Sequence, residues 1–293
     1  MQLGRIAVKV GFLGTGLMGL PMAQRLIASN FELVAYNRTP EKLAPLREVG
    51  ATIASTPEQA IAATEYVIVM LTNAAAIRDV LLCDASRQYL AGKTVIQMGT
   101  ITPTESKAIR DETVAAGGDY LEAPVLGSIP EAQAGKLIVM VGGTTEQFQR
   151  CLDLLLCFGS EPMLIGAVGK AAAVKLALNQ LIASLSSAFA LSLSFVERQD
   201  VDVDLFMEIL RNSALYAPTF DKKLQRMRDR KYSNPNFPTK HLLKDTDLFI
   251  SEAKSIGINI NSIEGVRQIL EIAMKGFSEA DYSSLFSAIA KEE

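Results

Sequence analysis

Lys175 and Asn179 are the pair whose types and spacing invite chemistry. They lie in "AVGKAAAVKLALNQLIASLSSAFALSLSFVERQ", which begins at Ala167 and is otherwise almost entirely apolar. Residues four apart share one face of a helix. An isolated Lys on an apolar helix usually snorkels to the edge of the buried surface. Burying its ammonium without compensation is expensive. A lysine kept inside, with an amide one turn away, has a different use. Desolvation makes it a better proton donor to an oxygen that is gaining electrons.

A second constellation says what that oxygen belongs to. "VGFLGTGLMG" holds Gly14, Gly16 and Gly19 in G-x-G-x-x-G spacing. The motif follows a β-like run and opens a helical pattern, the context that a dinucleotide loop requires. Gly14 permits the tight turn, Gly16 lets backbone approach a pyrophosphate, and Gly19 lets helix and strand pack closely. The helix mouth at Leu17 and Met18 offers N–H groups and a positive dipole to phosphates. The alternative is a plain glycine-rich turn.

The next strand ends "AYNRTP". A fold that prefers NAD usually places Asp or Glu there to hold the ribose 2′-hydroxyl. Here Asn37 is neutral, and Arg38 and Thr39 follow. A guanidinium pairs with a 2′-phosphate that a carboxylate would repel. The expected cofactor is therefore NADP(H), and the alternative is a solvated surface Arg. A dehydrogenase must place a proton on a carbonyl oxygen while hydride arrives at carbon. With His241 the only histidine, Lys175 is the candidate for that proton.

The totals narrow the field further. The chain has 293 residues and is 49% hydrophobic, enough for two domains with sizeable cores. A net charge of -3 leaves no electrostatic footprint for nucleic acid. Cys83, Cys151 and Cys157 have no metal-type spacing, so neither a disulfide framework nor a metal site is expected. No G-x-S-x-G elbow accompanies His241, which argues against a serine hydrolase. "MQLGRIAVKVGFLG" lacks a signal-peptide apolar region, and a cytoplasmic, reducing compartment is the expectation. The apolar run from Ala171 to Val196 is long enough to cross a membrane. Lys175, Asn179 and Gln180 at its start, its Ala and Ser content and the lack of a second such run point instead to a helix buried between domains or subunits.

These residues need elements to position them. The first half alternates short β-like runs with helical patterns, as parallel α/β sheets do. "VKVGFLG", "FELVAYN", "YVIVMLT", "TVIQMGT", "DYLEAPV" and "KLIVMVGG" read as strands. "GLPMAQRLIASN", "TPEKLAPLREVG" and "TPTESKAIRDETVAAGG" read as helices. After about Met163 the patterns are helical: the long apolar segment, "DVDLFMEILRNS", "PTFDKKLQRMRD", "KHLLKDTDLFISEAKSIG" and "NSIEGVRQILEIAMKGF". The expected fold class is α/β. It comprises a doubly wound Rossmann-type sheet over residues 1–164 and an all-helical domain over 165–293 that begins with the long interdomain helix. The substrate is expected in the cleft outside the carboxyl ends of the strands.

Four ordered motifs resemble the β-hydroxyacid dehydrogenases, a family that includes 3-hydroxyisobutyrate dehydrogenases, tartronate semialdehyde reductases and glyoxylate/succinic semialdehyde reductases. "VGFLGTGLMGLPMA" is similar to the family's cofactor signature. "LEAPVLGSIPEAQAGKLIVMVGG" is similar to its D/E-A-P-V-S-G-x substrate loop, and "VGKAAAVKLALN" to G-x-G-x-x-x-K-x-x-x-N. "FPTKHLLKDTDL" resembles its C-terminal K-D segment. The resemblance spans essentially the whole chain. "NRT", "LEAPV" and "FPTKHLLKD" look most like the glyoxylate/succinic semialdehyde reductase branch.

The resemblance implies NADPH-dependent reduction of a small aldehyde or oxo acid, with Lys175 catalytic and Asn179 positioning it or the substrate oxygen. It implies that Leu126, Gly127 and Ser128 hold the substrate carboxylate, that Phe237 walls the pocket, and that Lys240 faces the carboxylate. It places Met70, Leu71, Thr100 and Lys244 on the cofactor and Asp245 beside the site. It implies a homodimer or homotetramer as well. Two positions depart from the pattern. Leu126 replaces the loop serine, which removes a hydroxyl donor but leaves the loop N–H groups to bind a carboxylate. Ala171 replaces a glycine, and its methyl would crowd nicotinamide or substrate. Alternatives are another substrate within the family, an imine reductase, a 6-phosphogluconate dehydrogenase and a non-catalytic NADP sensor. As this branch is known, an imine reductase usually replaces the lysine, 6-phosphogluconate dehydrogenase needs a longer C-terminal part, and a sensor needs neither Lys175 nor Asn179.

Overall fold

Runs of Val, Ile, Leu and Met build the sheet wherever a Gly, Asn or Pro ends them. In the computed structural model, which describes residues 8–290, the strands are β1 (Lys9–Leu13), β2 (Glu32–Tyr36), β3 (Thr52–Ile53), β4 (Tyr66–Val69), β5 (Thr94–Gln97), β6 (Asp119–Glu122), β7 (Val125–Leu126), β8 (Ile138–Gly142) and β9 (Met163–Gly166). Residues 1–7, on which the expectation of a leaderless N-terminus partly rests, lie outside the described residues.

The spatial order is β3-β2-β1-β4-β5-β6, all parallel, followed by β8. That is the doubly wound order whose switch point falls between β1 and β4. The sheet is not parallel throughout. β8 runs antiparallel to β6 and β7, and β9 then pairs parallel with β8. β6 and β7 meet β8 in one register, Glu122 opposite Gly142 and Val125 opposite Val139. Pro124, which has no N–H to give a ladder, marks the break between them.

Successive strand residues feed two cores. Val10, Phe12, Leu33, Ala35, Ile68, Ile96 and Leu121 join Met22, Ala23 and Leu26 of helix α1 (Gly19–Ala28) in one. Leu13, Val34, Val67, Val69, Val95 and Tyr120 join Ile61, Ile77 and Ile109 in the other. This period-2 partition, with helices covering both faces, is why the strands read as unbroken apolar runs.

The chain divides into compact units at Lys175/Leu176 rather than at Leu164/Ile165. β9 still pairs with β8, and the first turn of the helix Lys170–Arg198 is bonded to Glu122, so both stay with the sheet. By length and composition that helix could cross a membrane, and 44% of its most apolar window is buried inside the protein. The second unit contains Val203–Arg211, Pro218–Arg228, Thr239–Ser255 and Asn261–Phe277, with a core built on Phe189, Leu193, Met207, Phe220, Leu242 and Leu270. Inside it Lys223 Nζ donates to Asp281 Oδ1 at 2.8 Å, so two buried charges are paired.

Candidate functional site

The first group of expected residues gathers at the carboxyl ends of β1, β2, β4 and β5. Gly14 has φ +101°, and a Cβ there would lie 2.4 Å from the Met70 carbonyl oxygen. A Cβ on Gly19 would lie 2.0 Å from the Gly14 carbonyl oxygen. Glycine is therefore required at both positions on backbone grounds alone. Gly16 differs, because a Cβ there meets nothing within 4 Å. Beside it Thr15 is buried, and its Oγ1 has no hydrogen-bond partner among the described residues. Met18 begins α1, whose Leu20 N–H reaches back to the Gly16 carbonyl at 3.1 Å, while Leu17 is exposed.

Asn37 ties this loop to the end of β2. Its Oδ1 accepts from the Thr15 N–H at 3.1 Å, and its Nδ2 donates to the Thr39 carbonyl at 2.9 Å. Its amide thus serves as a brace, and Arg38 beside it is exposed. Met70, Leu71 and Thr100 are half-buried. The Leu71 carbonyl lies 2.5 Å from where a Gly99 Cβ would sit, so the ends of β4 and β5 are in close approach.

The expected substrate loop is half-engaged already. Ser128 donates to Glu131 Oε2 through both its N–H, at 2.8 Å, and its hydroxyl, at 2.6 Å. These contacts cap the helix Ile129–Ala134, so the expected Ser128 donors are held by protein. Leu126 is half-buried, and Gly127, at φ +135°, is exposed.

Lys175 and Asn179 stand one turn apart on the same helix and both are buried, at 9% and 2% exposure. Asn179 Nδ2 donates to Asp245 Oδ2 at 2.6 Å, and the Lys244 ammonium pairs with Asp245 Oδ1 at 2.7 Å. Lys240 is not part of this network. Its ammonium is bound by Glu279, at 2.7 Å to Oε2. Phe237 stacks at 6.5 Å on His241, which lies in the first turn of the helix Thr239–Ser255. Burial, and then Lys244 and Lys240, hold the His241 imidazole below its ordinary pKa. Ala171 is fully buried, so its methyl group is committed to packing inside the protein.

Relatives give the arrangement its context. A family profile described as the NAD binding domain of 6-phosphogluconate dehydrogenase matches residues 9–169. One described as NAD-binding of NADP-dependent 3-hydroxyisobutyrate dehydrogenase matches residues 169–289. Glyoxylate/succinic semialdehyde reductase 2, chloroplastic, of Arabidopsis thaliana is 30% identical over 286 residues, 96% of this chain and 79% of that protein. The 2-hydroxy-3-oxopropionate reductase of Escherichia coli (strain K12) is 29% identical, covering 96% of this chain and 97% of that protein. The solved structure of Mycobacterium tuberculosis 3-hydroxyisobutyrate dehydrogenase with L-serine shares the fold, with a TM-score of 0.88 at 20% identity over 97% of this chain and 99% of that one.

The chain belongs to the 3-hydroxyisobutyrate dehydrogenase-like β-hydroxyacid dehydrogenase family. It is an NAD(P)-dependent hydroxyacid dehydrogenase. The first unit of this β-hydroxyacid dehydrogenase fits a dinucleotide on its own geometry. Space is reserved over Gly16, an unpaired hydroxyl waits at Thr15, and α1 opens beside both. Among the described residues, no group of three His, Cys, Asp or Glu side chains is placed to hold a metal ion.

Glu122 is the residue that motif reading missed. It is 1% exposed, and its Oε1 accepts from the N–H groups of Gly169, Ala171 and Ala172 at 2.8, 2.9 and 3.1 Å. Its other oxygen accepts from the Ser106 hydroxyl, which also bonds the Tyr120 hydroxyl at 2.9 Å. Burial drives the Tyr120 pKa up, so that hydroxyl keeps its proton. Two signals were available: Glu122 fills the acidic position of the D/E-A-P-V pattern, and it is an acid at the buried end of the strand "DYLEAPV".

Proposed function

We propose that this enzyme is an NADPH-dependent reductase of small acids carrying an aldehyde or oxo group, of the succinic semialdehyde and glyoxylate type. The observation that carries the reading is the buried Lys175 one turn from an Asn179 whose amide is clamped by Asp245. Lys175 Nζ donates its proton to the carbonyl oxygen as that oxygen takes up charge. Asn179 orients the lysine or the substrate oxygen. Its Oδ1 is buried without a protein partner among the described residues, ready to accept a hydrogen bond. The nicotinamide, when bound, supplies the hydride to the carbonyl carbon.

NADP(H) is favoured because the end of β2 presents Arg38 and no carboxylate. The names of the Arabidopsis relatives support the substrate class. Leu126 in the substrate loop, with Ser128 held by Glu131, favours a longer or more apolar chain within that class. Leu191 and Phe195, 62% and 65% exposed on the long helix, support self-association into a dimer or tetramer.

The test is NADPH oxidation with succinic semialdehyde, followed by absorbance, for the wild type and Lys175→Ala. General acid catalysis contributes about 10²- to 10⁴-fold. The variant should bind NADPH normally and lose turnover by about that factor. Wild-type turnover from the variant removes the catalytic assignment. An inactive wild type that still binds NADPH moves the search to other carbonyls or to imines.

A further inference from the structure

We propose that Glu122 is a positioning residue that sets the place and rotation of the helix carrying Lys175, and thereby the reach of the lysine ammonium. The inference rests on Lys175 being the proton donor.

A helix leaves its first four N–H groups without intrahelical partners. In the helix Lys170–Arg198 the ladder starts with the Ala173 N–H on the Gly169 carbonyl at 3.1 Å. The four earlier donors are all accounted for. Gly169, Ala171 and Ala172 donate to Glu122 Oε1, and Lys170 donates to the Ala167 carbonyl at 3.1 Å. Three of four orphan donors therefore converge on one oxygen of one side chain.

An ordinary cap comes from a Ser, Thr, Asp or Asn at the N-cap itself. Here that residue is Gly169, at φ +99°, with no side chain to offer, and a Cβ would lie 2.6 Å from Lys107 Cε. The cap is imported from the sheet instead. Glu122 ends β6, which is locked between β5 and β8. Gly142, opposite it on β8, leaves the room, since a Cβ there would lie 2.4 Å from Glu122 Oε1. Ser106, itself bonded to the Tyr120 hydroxyl, holds the second oxygen and restricts the carboxylate's freedom to turn.

A buried carboxylate is costly unless it is fully bonded, and this one is. Any apolar residue would suit a strand interior, whereas this glutamate couples two elements. The same strand segment continues in register to Leu126, at the mouth of the expected substrate loop. One stretch of backbone thus fixes both the start of the lysine helix and that loop. Lys175 lies in the second turn after the cap, close enough that a rotation at the cap is felt at its ammonium. A misplacement of about 1 Å at a reacting group can cost about 10²-fold in rate.

The experiment compares full-length wild type, Glu122→Gln, Glu122→Asp and Lys175→Ala. The readouts are kcat and KM for succinic semialdehyde, NADPH affinity by fluorescence, and hydrogen exchange at the amides of residues 169–172. Gln keeps the shape but replaces one acceptor oxygen with an NH₂ group. Its kcat should fall about 10- to 100-fold while KM and NADPH affinity stay within about twofold. First-turn amides should exchange faster, and Asp, which restores an anionic acceptor, should recover part of the kcat.

A purely structural cap would lower stability without this split, so Glu122→Gln at wild-type kcat overturns the proposal. If Glu122→Gln does not fold, Ser106→Ala is the substitute, because it frees only the second oxygen. A several-fold kcat loss at constant KM supports the proposal, and wild-type kcat overturns it. Full turnover from Lys175→Ala overturns the reading beneath the proposal and the proposal with it. A silent Lys175→Ala beside a fully active Glu122→Gln overturns the proposal alone.

Discussion

Asn179 Nδ2 donates to Asp245 Oδ2 at 2.6 Å, and this bond decides which way the amide faces. A carboxylate only accepts, so the NH₂ end must turn to Asp245 and the carbonyl end is presented elsewhere in the buried site. Lys244 on Asp245 Oδ1 holds the carboxylate in place. Asp245→Asn removes the asymmetry, because an amide facing an amide can pair either way round. Hydrogen bonds to charged groups are worth about 1.5–3 kcal/mol. We expect kcat/KM for the aldehyde to fall about 10- to 100-fold, with NADPH affinity little changed. Steady-state kinetics decide it, and an unaltered kcat/KM would mean that the amide orientation carries no function.

The glycines of the loop separate fold from cofactor. A Cβ on Gly19 would sit 2.0 Å from backbone, whereas on Gly16 it meets nothing. Gly19→Ala should lose about 1–3 kcal/mol or more of stability, the range for overpacking, read from denaturant unfolding. Gly16→Ala should melt like the wild type and yet bind NADPH more weakly. Equal NADPH affinity for Gly16→Ala would show that the open space over Gly16 is not where the pyrophosphate lies.

Arg38 is exposed at the end of β2, and Asn37 braces the loop behind it. Arg38→Ala should weaken NADPH about tenfold or more and leave NADH nearly unchanged, since only the former carries the 2′-phosphate. The NADPH loss should shrink as salt rises. A parallel loss for both cofactors would assign Arg38 to the loop's structure.

His241 gives stability a pH slope of known sign. Its pKa is lowered from the ordinary 6.5, chiefly by burial and then by Lys244 and Lys240, with Asp245 and Glu279 opposing. The unfolded chain therefore takes up a proton at higher pH than the folded one. The contribution is fully present above about 6.5 and is lost as pH falls below it toward the folded pKa. Melting temperature should drop on acidification through that window, and His241→Gln should flatten the drop. An identical slope in the variant would remove His241 as its source.

Much of the candidate site's local geometry was legible because its logic is local. The spacing of Gly14, Gly16 and Gly19, with a β-run before and a helix after, specifies a loop within a single βα unit. Lys175 and Asn179 fall on one helical face by periodicity alone. The Ser128 and Glu131 pairing was legible too, as the S-x-x-E of a capping box, and reading the loop only as a substrate site overlooked it. β3 escaped because two residues show no pattern, and β9 because it sits at the point where the helical patterns begin.

The sequence by itself determined most of the strands and the long helices, that a glycine loop joins β1 to α1, and that a lysine and an amide share a helix face. These follow from steric and periodic rules acting over a few residues. Tertiary structure alone decided the partners. Glu122 reaches amides 47 to 50 residues away, Asp245 meets Asn179 across 66 residues, and Lys240 closes on Glu279 instead of joining them. A buried polar atom must be paired wherever packing brings a partner. Nothing in the order of the chain says which strand end will lie beneath which helix.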